Sequence, residues 1–228
     1  MKTIIQVWAH SYYNKKPDKY NNFFGIGDIL RGTLNLYLYC REKNYNFVVD
    51  IHLHNLSNYI IEKNYLYRDL IEKNKDNIPF IEGSQIEKYI NNSNEENIYF
   101  FTNLNKEVKD LDEESRNFMK NLLKPNENFN FYLDKNLITI SKFNILHFRL
   151  GDNELVRNNI NNKEFEKYFN VLNNIKYSEN DILISDSISF KKFIKNKNIK
   201  IRILDTIPVH IGIKNDLKDT LLEFFFII

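Results

Sequence analysis

Three short apolar runs in the second half of the chain, each ending on polar residues, leave few folds open. Phe143 to Phe148 runs into Arg149-Leu150-Gly151-Asp152, Asp181 to Ile184 into Ser185-Asp186-Ser187, and Ile199 to Leu204 into Asp205-Thr206. Runs of this length, rich in Ile and Leu, suit strands buried on both faces. Between the first two, Phe165, Tyr168, Phe169, Leu172 and Ile175 fall on one helical face; a shorter helix around Phe190–Ile194 separates the second from the third. Strands alternating with helices indicate a parallel sheet with right-handed crossovers. Ligands of such sheets bind beyond the carboxyl ends of the strands, so the polar endings would line one crevice. His147 and Arg149 are two apart and share a strand face. The planar fork of a guanidinium meets two phosphate oxygens at once. Against this stands an Arg–Asp pair that only ties a loop to a strand. Asp and Ser leave strands and cap helices commonly, so it is the order of the three endings that carries weight.

The first half repeats the pattern less clearly. Thr3 to Trp8 reads as a strand, followed by a polar segment from His10 to Asn22. In Phe23-Phe24-Gly25-Ile26-Gly27-Asp28-Ile29-Leu30-Arg31-Gly32 the chain places three of its six glycines. That concentration predicts positive φ or close backbone approach there. Leu30, Leu34, Tyr37, Leu38 and Arg41 predict a helix starting near Asp28 or Ile29, with Asp28 as N-cap. The loop lacks the third glycine of a dinucleotide fingerprint and the Lys-Ser/Thr of a P-loop, and both are rejected. Asn46–Leu53 is a second strand with His52 and His54 on one face, a weak metal candidate without a third ligand. Short helices are expected between Ser57 and Asn97, then a strand at Ile98–Phe101. Asp110 and Glu113 open a helix as a capping box, with Leu111, Phe118, Met119, Leu122 and Leu123 inward. Pro125 ends it, and the polar Lys124–Asn128 marks a boundary between domains 1–125 and 126–228. A last helix begins near Asp216, and the apolar Phe224–Ile228 reads as a buried strand.

At 228 residues there is room for one large or two small domains. Lys+Arg 32 against Asp+Glu 30 gives a net charge of +2, which argues against a nucleic-acid footprint. The single Cys40 lies in an apolar helical run, excludes an intrachain disulfide and reads as a small core residue in a reducing compartment. No stretch approaches the roughly 20 apolar residues of a spanning helix, and Met1–Trp8 is not a signal peptide, so a cytoplasmic protein is expected. The excess of Asn, Lys, Ile, Tyr and Phe is that of an AT-rich genome and would suit a large DNA virus.

His147-Phe148-Arg149-Leu150-Gly151-Asp152 resembles the His-x-Arg-x-Gly-Asp motif of the fucosyltransferase superfamily that holds α1,2-, α1,6-, protein O- and nodulation fucosyltransferases. Gly25-Ile26-Gly27-Asp28 resembles that superfamily's Gly-x-Gly-Asn loop, Ser185-Asp186 its Ser/Thr-Asp turn, and His210 to Glu223 the helix that follows. The resemblance implies an α/β, GT-B-like fold of two Rossmann-like lobes, the first on the acceptor side and the second holding GDP-fucose. It implies inverting transfer without a metal or other cofactor, from a nucleotide-sugar donor to a glycan or protein hydroxyl. Arg149 would grip the β-phosphate with His147 in support. Ser185, Asp186 and Asp205 would lie near the nucleotide, Gly151 would turn the chain off the strand, and Gly25 and Gly27, with Arg31, would close over the donor. The chemistry also needs a carboxylate to take the acceptor proton. Asp28, Asp152 and Glu154 are candidates, Asp28 standing where the superfamily usually has Asn. In the superfamily the strand expected at Phe224–Ile228 continues into a Ser/Thr-rich turn that helps hold the donor. The second lobe therefore reads as incomplete, either the front of a longer reading frame or a shortened chain without transfer activity; against this stands a fold that closes its sheet with a last central strand and needs nothing more. A nucleotide- or glycan-binding protein without turnover, and a transferase for another nucleotide sugar, are the alternative readings.

Overall fold

In a computed structural model the chain is described for residues 1–8, 25–61, 65–104, 110–136, 143–150, 162–209 and 216–227. It divides into two compact units, Met1–Asn130 and Phe131–Ile228.

The first unit is built on β1 (Thr3–Val7), all five residues of which are buried. It pairs in parallel with β2 (Asn46–Asp50) on one side and β3 (Asn97–Phe100) on the other, giving the order β2-β1-β3. Alternation sends its side chains to two separate cores. Ile4 packs with Leu36, Cys40, Ile86, Ile90 and Phe100, while Ile5 and Val7 pack with Ile71 and Ile78. The first core is roofed by α1 (Ile26–Glu42), and by α3 (Ile86–Asn92); the second is covered by α2 (Arg68–Asn74). Cys40 is the core residue expected, and burial pushes its thiol up to about 12. Lys2 on β1's approach donates to the Ile90 and Ser93 carbonyls at 2.6 and 2.9 Å, closing the end of α3.

α4 (Glu113–Leu122) starts later than its sequence suggests. Asp112, not Asp110, is its N-cap, accepting from the Ser115 N–H at 2.9 Å. It also meets Arg41 at 2.6 Å, a pairing across helices that local sequence cannot reveal. α5 (Glu127–Asn136) had no expected counterpart, and the division between the units falls inside it. The polar segment before it belongs to the first unit, where Ile61 N–H donates to the Lys124 carbonyl and Asn126 N–H to that of Tyr59.

The second unit holds β4 (Ile145–Phe148), β5 (Ile182–Ser185) and β6 (Arg202–Ile203), parallel and in that order. α6 (Asn162–Asn173) and α7 (Ile188–Lys195) supply its aromatic core, in which Phe148, Phe165 and Phe190 meet at ring-centroid distances of 5.3 and 5.4 Å. β6 is shorter than expected. The apolar end of the chain also differs: α8 (Lys218–Ile227) is a helix where Phe224–Ile228 was expected to be a strand. A run of large apolar residues has no period by which to choose. A helix satisfies its own backbone, and this one buries Leu221, Leu222 and Glu223, with Leu217 buried just before it.

Candidate functional site

The end of β5 holds the backbone on both sides of Arg149. Ser185, wholly buried and paired in register with Phe148, donates from Oγ to the Phe148 carbonyl at 2.7 Å. Asp186 accepts from the Leu150 N–H at 2.6 Å, a short charge-assisted bond. Ser185 Oγ also accepts from the Ser187 N–H at 3.2 Å, and Ser187 caps α7 by accepting from the Phe190 N–H at 3.0 Å. Ser185-Asp186-Ser187 is therefore one device. It fixes the residue before Arg149, the residue after it, and the start of the next helix. The Ser185 hydroxyl is committed to this work, and the exposed side chain of Arg149 is what the device presents.

His147 lies on β4, exposed at its surface and on the Arg149 side of the strand. Its pKa is lowered first by desolvation; Arg149 adds to the lowering and Asp186 opposes it. Because all three strands are parallel, the β6 ending lies on the same edge. Asp205 is 88% exposed there and accepts from Lys195 at 3.0 Å, which depresses its pKa. The next residue, Thr206, is buried in a network absent from the sequence reading. Lys191 donates to its carbonyl at 3.0 Å and to its hydroxyl at 2.7 Å, and both residues bond to Glu223 of α8. Burial raises the Glu223 pKa, with Lys191 opposing. No spacing rule links positions 191, 206 and 223, so nothing local signals this contact. Gly151, Asp152 and Glu154 lie outside the described residues.

In the first unit the glycine cluster is not a loop of unusual backbone. Gly25 is the N-cap of α1 at φ −73°, ψ 167°, and no described glycine has positive φ. Asp28 is not the cap but the third helical residue, one of its oxygens accepting from the Gly25 N–H at 3.2 Å and the other meeting Arg31 at 2.7 Å. A side-chain carbon on Gly27 would meet nothing within 4 Å; on Gly32 it would come within 2.6 Å of the Thr102 carbonyl oxygen. Close approach is required at Gly32 alone of the three, where α1 crosses the chain leaving β3. The expected His52–His54 pair also separates, since β2 ends at Asp50. His54 is buried and accepts from the Leu56 N–H at 3.1 Å, whereas His52 sits between Asp50 and Glu72. Among the described residues no three His, Cys, Asp or Glu side chains gather as a metal site. No described helix is long and apolar enough to cross a membrane.

No protein-family model matches the sequence, and no curated protein matches it significantly. Solved structures do. The chain is similar to fucosyltransferase NodZ from Bradyrhizobium at a TM-score of 0.57 and 13% identity, over 99% of this chain and 85% of that one. NodZ α-1,6-fucosyltransferase co-crystallised with GDP matches at 0.54 and 12% identity, and the same enzyme soaked with GDP-fucose at 0.52 and 12%. Each of these covers 99% of this chain and 84% of the other. The fold is that of NodZ. Two sets of parallel strands with helical crossovers are thus a GT-B-like fucosyltransferase fold, as the sequence resemblance implied. At such low identity the likeness to NodZ is one of fold.

Proposed function

We propose that this chain is a glycosyltransferase that uses GDP-fucose, transferring the sugar with inversion and without a metal to a hydroxyl of a glycan or protein. The observation that supports this most is the clamp on Arg149, a guanidinium at a strand's carboxyl end whose two neighbouring peptide units are fixed by Ser185 and Asp186. A backbone fixed on both sides sets where that guanidinium starts from, and a cation so placed suits negative charge that develops in a transition state. In the reaction proposed, an acceptor oxygen bonds to the anomeric carbon as the bond from that carbon to the β-phosphate oxygen breaks. The departing electron pair stays on GDP, where Arg149 stabilises it, and the acceptor proton passes to a carboxylate. His147 supports Arg149, and Asp205 flanks the nucleotide. The candidates for the carboxylate are Asp152, Glu154 and Asp28, which accepts from the Gly25 N–H and pairs with Arg31.

The test is calorimetric titration with GDP, alongside a thermal-shift panel of GDP, UDP, CMP and GDP-fucose. Arg149→Ala is expected to weaken GDP binding by about 10- to 150-fold, the worth of a charge-assisted contact, while the melting temperature barely moves. Equal binding by wild type and variant overturns the phosphate role. EDTA is expected to leave turnover unchanged; activity restored only by Mn²⁺ or Mg²⁺ would favour a different transferase class.

A further inference from the structure

The buried network behind the β6 ending takes no part in the reaction as proposed. Lys191 and Glu223 are 4% and 5% exposed. An ammonium has three protons to place, and here each meets an oxygen: the Thr206 carbonyl at 3.0 Å, the Thr206 hydroxyl at 2.7 Å, and the Glu223 carboxylate. The Thr206 hydroxyl in turn donates to the same carboxylate. Replacing a buried ion pair by apolar side chains of like volume is often neutral or stabilising, so what such a pair contributes is fixed geometry.

Here it fixes the backbone of a strand ending. Thr206 is buried, while its neighbours Asp205 and Ile207 are 88% and 64% exposed at the carboxyl edge of the sheet. α8 holds the stretch that follows. Asp219 accepts from the Ile207 N–H at 2.7 Å, and the Thr220 hydroxyl accepts from the Val209 N–H at 2.7 Å and donates to its carbonyl at 3.0 Å. One side chain is thus anchored inward, and the two beside it are presented outward on a tied backbone. Lys191 also stands one helical turn along α7 from Ser187, whose carbonyl accepts from its N–H at 3.1 Å. The first turn of α7 therefore carries both the serine that closes the β5 ending and the lysine that holds the β6 ending. Charge links the same two endings. Lys195 first, and Lys191 in addition, lower the Asp205 pKa; burial first, and Asp186 in addition, raise that of Glu223 against the opposing Lys191.

We infer that Lys191 and Glu223 are positioning residues for the donor: through Thr206 they hold the β6 ending in place for the part of the nucleotide that Arg149 does not grip. This rests on the proposed function. Buried as they are, neither side chain meets the ligand, and both act through the backbone of Asp205–Ile207.

Calorimetric titration of the full chain with GDP and with inorganic pyrophosphate tests this. The double variant Lys191→Met/Glu223→Met replaces the pair by apolar side chains of similar length and keeps the core filled. It is expected to bind GDP about tenfold more weakly, while pyrophosphate, held by Arg149, changes by less than about twofold. Thr206→Val, which removes only the hydroxyl from the network, is expected to weaken GDP binding severalfold, and Thr206→Ser to restore it. Should the double variant fail to fold, or the wild type bind GDP without pyrophosphate, the two Thr206 variants decide. GDP binding at wild-type strength in the double variant and in Thr206→Val overturns the inference and spares the donor reading. An equal loss of GDP and pyrophosphate binding overturns it too, since the network would then act on the unit as a whole. A wild-type chain that binds neither ligand sinks the donor reading, and the inference falls with it.

Discussion

The two parallel sheets reach the same local architecture by different means. In the first unit, position comes from packing: β1 is buried along its whole length, and α1 approaches so closely at Gly32 that the Thr102 carbonyl occupies the place of a side chain. In the second, β4 is only partly buried and β6 is two residues long. There the strand ends are tied by side chains to backbone: Ser185 to Phe148, Asp186 to Leu150, and Asp181 to Asn144 and Ser178. A packed strand tolerates little change in volume, whereas a tied strand tolerates little change in charge and hydrogen bonding. The chemistry proposed for this protein sits on the tied sheet, where position can be set residue by residue.

After Arg149 itself, the largest effect is expected where a tie meets the proposed site. Asp186→Ala frees the Leu150 N–H and should weaken GDP binding by about 10- to 100-fold. Calorimetry that finds wild-type affinity would show that Arg149 needs no clamp. On the packed side, Gly32→Ala forces a carbon against a backbone oxygen and is expected to destabilise the fold by about 1–3 kcal/mol in urea titration. An unchanged midpoint would mean that α1 can shift freely and that packing does not fix its position.

Asp181 tests the tied sheet by pH. Its carboxylate accepts from the Asn144 and Ser178 N–H groups, each at 2.7 Å, and those bonds lower its pKa. A depressed folded-state pKa gives stability that is full above the ordinary carboxylate range of about 4 and is lost as pH falls through the lowered value. Wild type should therefore lose stability on acidification more steeply than Asp181→Asn, and parallel curves from chemical denaturation would contradict the assignment. The smallest effect is Gly27→Ala. With open space at that position inside a helix, the change should stabilise by about 0.5–1 kcal/mol. If it also weakens GDP binding, Gly27 serves the ligand; if affinity holds, its only cost is to the helix.

Much of this arrangement was legible in the chain. The apolar runs, their polar endings and the helical faces between them determined a parallel α/β fold, because burial on two faces and a 3.6-residue period are local properties of sequence. The ending Ser185-Asp186-Ser187 was visible as a polar turn, but not as the clamp on Arg149, because the bonds run to a strand 36 and 37 residues earlier. The glycine cluster misled for a similar reason: residue type shows that a side chain is missing, and only the neighbouring chain shows whether one would have fitted. Asp28 looked like a helix cap from its type, as did Asp110, and both yielded the cap position to a neighbour, Gly25 and Asp112. The apolar end of the chain carried no period, so strand or helix was settled by what Leu217, Leu221 and Glu223 could bury against. Sequence by itself determined which segments are regular and which ends are polar, since those follow from near neighbours. Tertiary structure alone decided which polar groups hold one another, since a hydrogen bond depends on distances in space.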